Sequence, residues 1–221
     1  MEPRCWPDGA PDRCALSTER LPPLSKGMAL WRPGDDYTGS YLVRSGALKI
    51  VAVDVAGDEQ VLHFALPGDL IGLEAMAPGR HDSLAVTLEE SVLCRVRWPR
   101  NGAASDPPMQ LLLRASRNLH QRFGSGRHAE PLAATRAFVR AIAQQIGREE
   151  RRGAARVIRL QLPMSRLEIG QYLGYTEETV CRALRRLHQL GELDVKGRIV
   201  RMPAAEAADA CAEQSTSAAA R

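Results

Sequence analysis

The order of elements written into this chain predicts an α+β protein: an antiparallel β-roll, then a long helix, then a C-terminal winged helix-turn-helix. Three observations carry that expectation. Short apolar or alternating runs punctuated by glycine fill residues 21–96. An apolar seam stepping 3-4-3-4 follows at 109–123. Residues 162–202 then spell a capped helix, a glycine, a second capped helix and a basic hairpin.

Residues 1–18 hold Cys5 and Cys14 but show no periodicity, and no element is expected there. Between 19 and 100 the runs 41–43, 47–53, 60–65, 83–88 and 91–97 have strand length. Gly27, Gly34, Gly46, Gly57, Gly68 and Gly72 recur at turn spacings, the pattern of a rolled or closed antiparallel sheet. Residues 101–108 are polar, contain two prolines and mark a boundary. Met109, Leu112, Ser116, Leu119 and Phe123 then fall on one side of a helix expected over 106–130. A short isolated helix is marginal in water, so this seam needs an apolar partner, either the β-roll or a second copy of the chain. A second copy is preferred, because a helix-turn-helix protein reading a palindrome needs two-fold symmetry.

Residues 131–203 are expected to form the second domain, and the Ala-rich tail at 204–221 to be disordered. The domain opens with a helix over 131–148 that puts Phe138, Ile142 and Ile146 on one face, followed by a strand at 157–162. Ser165 is an N-cap, and Glu168 three residues on completes a capping box. Leu167, Ile169 and Leu173 supply the apolar side of this helix, and Gly174 sits where a sharp turn must follow. Thr176 caps the second helix, and Glu177 and Glu178 suit the positive end of its dipole. Val180, Leu184 and Leu187 obey the i, i+4, i+7 rule and face inward, so Glu178, Cys181, Arg182 and Arg185 project together from the other side. Gly191 stops the helix, and 193–202 alternates through Lys196-Gly197 as a two-stranded wing. Glu and Arg one turn apart suit a major groove, since Arg pairs bidentately with guanine and Glu accepts from the cytosine amino group. Glu178, Cys181 and Arg182 are therefore the candidates for reading bases. Ser165, Arg166, Thr176, Arg185, Lys196 and Arg198 are the candidates for holding phosphates.

Charge agrees. Residues 131–203 hold 14 Lys and Arg against 7 Asp and Glu, whereas the rest of the chain holds 16 against 19. A modest net charge of +4 is thus concentrated where the helix-turn-helix lies, which suits phosphate contacts. No apolar run approaches the ~20 residues that cross a bilayer, and the first residues have no apolar core of the signal-peptide kind. A cytoplasmic protein that does not enter membranes is expected. No nucleophile–base pair, phosphate-cradling glycine loop or paired carboxylates point to an enzyme. The rival of another class is a ligand-binding module whose helix-turn-helix serves protein contacts.

Ile169-Gly170-Gln171-Tyr172-Leu173-Gly174 and Glu178-Thr179-Val180-Cys181-Arg182 resemble the signature of Crp/Fnr transcription regulators, the Fnr branch above all. SYLVRSGALKI, GDEQVLHFALPGDLIGLEA and ESVLCRV resemble the sensory β-roll of that branch, so the likeness spans roughly residues 19–202. It implies a cyclic-nucleotide-binding-like β-roll, a dimerisation helix, double-stranded DNA with palindromic sites of the TTGAT type, RNA polymerase as a partner, and a signal of oxygen or redox state. The chain departs from the pattern at Cys181, where the branch carries serine, and at Glu177, an acidic residue near the groove. Members that bind cyclic AMP pair its phosphate with an arginine ahead of a small residue. Here that place reads Asp82-Ser83 with Arg80 two positions out of register, which argues against cyclic AMP.

The resemblance also implies a [4Fe–4S] cluster held by three N-terminal cysteines and one in the β-roll. Cys5 and Cys14 match the first and last N-terminal ligands, Cys94 the β-roll ligand, and Asp8 stands where the middle cysteine would fall. The candidate set is Cys5, Asp8, Cys14 and Cys94. The stretch from Cys14 to Leu21 is shorter than in the branch. The alternative is a regulator of the same fold without a cluster, sensing through the Cys5 and Cys14 thiols or a small ligand in the β-roll. His63, His81, His120, His128 and His188 have no zinc-type spacing, and His63 or His81 offers at most a single haem ligand.

Overall fold

The computed structural model describes residues 17–53, 57, 59–97, 130–152 and 155–204, in two units. The segment with Cys5, Asp8 and Cys14, the seam from Met109 to Phe123 and the tail beyond 204 lie outside the described residues.

The described residues of the first unit form eight strands: β1 (Ser17–Arg20), β2 (Ala29–Trp31), β3 (Ser40–Ser45), β4 (Leu48–Val53), β5 (Glu59–Ala65), β6 (Leu70–Ile71), β7 (Leu84–Thr87) and β8 (Val92–Arg97). They form two four-stranded antiparallel sheets, in the orders β1-β8-β3-β6 and β2-β7-β4-β5. The period of two decides what each face meets. Tyr41 and Val43 of β3 and Leu93 of β8 turn into the main core with Trp31, Leu48, Ile50, Ala65, Ile71 and Ala85. Their neighbours Leu42, Cys94 and Val96 turn the other way into a smaller apolar cluster. Each fully buried Leu, such as Leu48 or Leu93, stabilises the roll by about 1.5–3 kcal/mol. All five longer runs expected from the alternation are strands, and the six turn glycines all carry positive φ. Three strands lack that signal: β1 begins inside a segment with no periodicity, and β2 and β6 are too short for a period to show.

The described part of the second unit begins with helix α1 (Pro131–Ile146), then β9 (Arg148–Arg152) and β10 (Ala155–Gln161). Helix α2 (Arg166–Leu173), helix α3 (Glu177–Gln189), β11 (Asp194–Lys196) and β12 (Ile199–Pro203) complete it. The sheet order is β11-β12-β10-β9. Phe138 and Ile142 of α1 are buried, as are Ile169, Val180, Leu184 and Leu187 of the helix pair and Leu160, Val200 and Met202 of the sheet.

Two expectations are corrected here. The first helix does not run to Arg148. It ends at Ile146, Gly147 turns extended, and the next five residues, REERR, form β9. No apolar rhythm announces that strand; it is an edge strand, and charge on an edge prevents further pairing. Leu167 does not join the apolar side of α2 but stands 52% exposed, leaving burial to Ile169, Gly170 and Leu173.

Candidate nucleic-acid interface

The two helices of the motif are set by their ends. Ser165 Oγ accepts from the Glu168 amide at 3.2 Å, while the Glu168 carboxylate accepts from the Ser165 amide at 2.7 Å and its hydroxyl at 2.9 Å. That reciprocal box satisfies donors the first turn would leave orphaned. At the other end Gly174 takes a left-handed φ of 78° and closes α2. Gly170 has a different task. A Cβ there would lie 2.5 Å from the Tyr175 carbonyl oxygen, so only glycine lets the turn pass so close to the helix. Thr176 Oγ1 accepts from the Thr179 amide at 3.2 Å and meets the Thr179 hydroxyl at 2.9 Å, starting α3.

Val180, Leu184 and Leu187 anchor α3 from below, and its opposite face is open. Glu178 and Arg182 are 78% and 65% exposed and lie 3.9 Å apart, one turn along the helix. At that exposure the pair contributes little stability, so both groups are available to another partner. Arg185 is exposed beside them and Cys181 is half-buried. Glu177 is exposed at the helix start.

The wing is tied to this pair of helices. Arg166 donates to the Gly197 carbonyl in the β11–β12 turn, and Arg198 donates to the Pro163 carbonyl at 3.3 Å just before α2. Burial lowers the pKa of Arg166; the neighbouring Cys181 opposes that shift and Arg198 adds to it. An arginine remains charged under any such shift. The proposed phosphate residues therefore divide. Arg185, Lys196 and Arg198 are exposed, whereas Ser165 and Arg166 are half-buried and committed to the cap and the wing.

Two braces escaped the sequence. Arg136 of α1 grips Glu192 beyond α3 with two bonds of 2.6 and 2.9 Å, and Phe138 packs on Tyr172 of α2 with ring centres 5.5 Å apart. Partners 56 residues apart share no local pattern, so no spacing rule could have found the ion pair.

In the first unit four ring side chains pack together. Trp31 stacks on His81 at 4.3 Å and on Tyr41 at 5.7 Å, and Tyr37 tilts against His81 at 6.1 Å. His81 is 3% exposed and meets the Glu74 carboxylate at 3.3 Å. Trp31 Nε1 donates to Ser83 Oγ at 3.3 Å, Asp82 is exposed, and Arg80 pairs with Asp36 at 3.2 Å.

Cys94 is 1% exposed, packed with Leu42, Val96 and Leu70 and opposite Arg20 in the β1–β8 ladder. The other end of β1, Ser17, pairs with Arg97. Among the described residues no group of three or more His, Cys, Asp or Glu is placed to hold a metal. They therefore do not by themselves make a cluster site; of the four proposed ligands only Cys94 is among them.

Comparison with known proteins places this geometry among relatives. Residues 22–100 match the model of the cyclic nucleotide-binding domain, and residues 138–206 that of the Crp-like helix-turn-helix domain. The fumarate and nitrate reduction regulatory protein of Salmonella typhi is 32% identical over 197 residues, covering 88% of this chain and 79% of that protein. The anaerobic regulatory protein of Aggregatibacter actinomycetemcomitans is 34% identical over 203 residues, covering 82% of this chain and 72% of that protein. A CRP-family transcriptional regulator of Thermus thermophilus superposes with a TM-score of 0.67 at 20% identity, over 86% of this chain and 97% of that one. FixK2 of Bradyrhizobium japonicum gives 0.63 at 24% identity, over 84% and 92%.

Proposed function

This chain belongs to the Crp/Fnr family of DNA-binding transcription regulators, and from that premise we infer that it reads palindromic TTGAT-type sites as a homodimer and answers oxygen or redox state. It is a regulator and not an enzyme. The observation that carries the reading is the exposed Glu178–Arg182 pair on a helix anchored by Val180, Leu184 and Leu187. In this reading Glu178 and Arg182 meet base edges with Cys181 between them. Thr176, Arg185, Lys196 and Arg198 hold phosphates, while Ser165 and Arg166 bring backbone and wing to the same strand. RNA polymerase as a partner and the cytoplasm as the location follow from the family.

The signal is inferred from the relatives named for fumarate and nitrate reduction and for anaerobic regulation. A [4Fe–4S] cluster would draw on Cys5, Asp8, Cys14 and Cys94; burial of Cys94 among apolar side chains favours a second reading, a regulator of this fold sensing by thiols or by a β-roll ligand. Cyclic AMP is not the ligand in either reading: Asp82 is a carboxylate where an arginine would be needed, and the Ser83 hydroxyl already serves Trp31.

The full chain, purified without air and assayed for iron and acid-labile sulfide, should bind a fluorescent TTGAT palindrome at least tenfold better than a scrambled duplex, and lose that preference in air. Equal binding to both duplexes in both states would sink the reading. Air-insensitive specific binding by iron-free protein would instead select the cluster-free regulator.

A further inference from the structure

The sheet of the second unit carries charge that the helix-turn-helix does not use. Leu160, Val200 and Met202 face the core, so by the period of two Arg159 and Arg201 face outward. The registers are Asp194 with Arg201, Arg201 with Arg159, and Arg159 with Arg148. One row across all four strands therefore reads Asp194, Arg201, Arg159, Arg148. Directly opposed side chains stand with Cβ atoms about 4.5–5.5 Å apart, where like charges repel. Arg201 is answered by Glu150 at 3.6 Å and Asp194 at 3.8 Å. Arg159 and Arg148 have no carboxylate within ion-pair distance among the described residues. Arg159 and Arg148, directly opposed in that file, repel each other unless an anion lies across them.

We propose that the Arg148–Arg159–Arg201 row on the open face of the wing sheet binds the phosphate backbone of DNA flanking the core site; this rests on the DNA-binding reading above and extends the footprint outward. Continuity argues for this occupant. The next row toward the wing turn holds Lys196, Ile199 and Gln161, and the turn itself is fastened to the start of α2 by Arg166 and Arg198. Lys196 at the wing turn thus lies one row from Arg201 and Arg159 on the same face. Guanidinium groups suit phosphate because each can donate two parallel bonds to it.

The test compares full-length wild type with R148A/R159A on two duplexes sharing one TTGAT palindrome, one trimmed to it and one extended by roughly a helical turn on each side. Each lost phosphate contact removes about 0.9 from the slope of log K against log salt. The double variant should lower that slope by about 1.8 per protomer on the long duplex and leave the short duplex unchanged. R148K/R159K should restore most of the slope, which also covers the case in which the alanine variant fails to fold. An unchanged slope on the long duplex overturns the proposal. So does a variant with the full slope that fails only to activate transcription with RNA polymerase, since the row would then serve an acidic protein surface. If wild type shows no preference for the palindrome and R182A changes nothing, the DNA reading itself has failed, not the row.

Discussion

Arg182 and Glu178 hold each other at 3.9 Å in a weak exposed pair, and that weakness is useful. A groove-reading arginine must leave its helical neighbour without a large penalty. Arg182→Ala should cost about 1–3 kcal/mol on the palindrome and little on scrambled DNA, read as a ratio of dissociation constants. If the ratio stays at its wild-type value, Arg182 does not face bases. Arg166 illustrates the opposite case. Its place at the start of the helix pair suggests a phosphate contact, yet its guanidinium is turned to the Gly197 carbonyl and is half-buried. Composition says that a charge is present; only the fold says whom it serves.

Elements with punctuation were legible. Caps at Ser165 and Thr176 and the glycine at 174 located α2, α3 and their turn, because those residues act on backbone groups within four positions. Elements defined by distant partners were not. Strand β9 exists because β10 pairs with it, and its sequence of five charged residues carries no rhythm of its own. Leu167 fits the apolar spacing of α2 but faces solvent, since that helix buries only a narrow side. The close pass at Gly170 supplies the test at this scale. Gly170→Ala must push the Tyr175 carbonyl away and should destabilise the protein by about 1–3 kcal/mol. Gly174→Asn keeps the left-handed cap with open space around it and should cost less than about 1 kcal/mol. A thermal melt ranking the two in reverse order would contradict this account of the turn.

At the level of the whole molecule the β-roll and the winged helix-turn-helix were readable from two stretches of sequence, whereas the signal was not. The side chains proposed to face DNA form a local pattern on one helix. The sensory candidates are spread between Cys94 and a segment outside the described residues, and no spacing rule states how those are brought together. The proposed homodimer was no easier to read, since the seam expected for it, at 109–123, lies outside the described residues. Sedimentation of the full chain with one palindromic duplex should give two protomers per DNA. One protomer per duplex at saturation would remove two-fold reading. The brace between Arg136 and Glu192, with Phe138 against Tyr172, has one more consequence. Helix α1 is the first described element of this unit, and it is held at two places, to Glu192 beyond α3 and to Tyr172 of α2. A twist applied at Pro131 would reach the helix pair through these two contacts, as a key turns its bit, so a signal would need a grip on the shaft without touching the teeth.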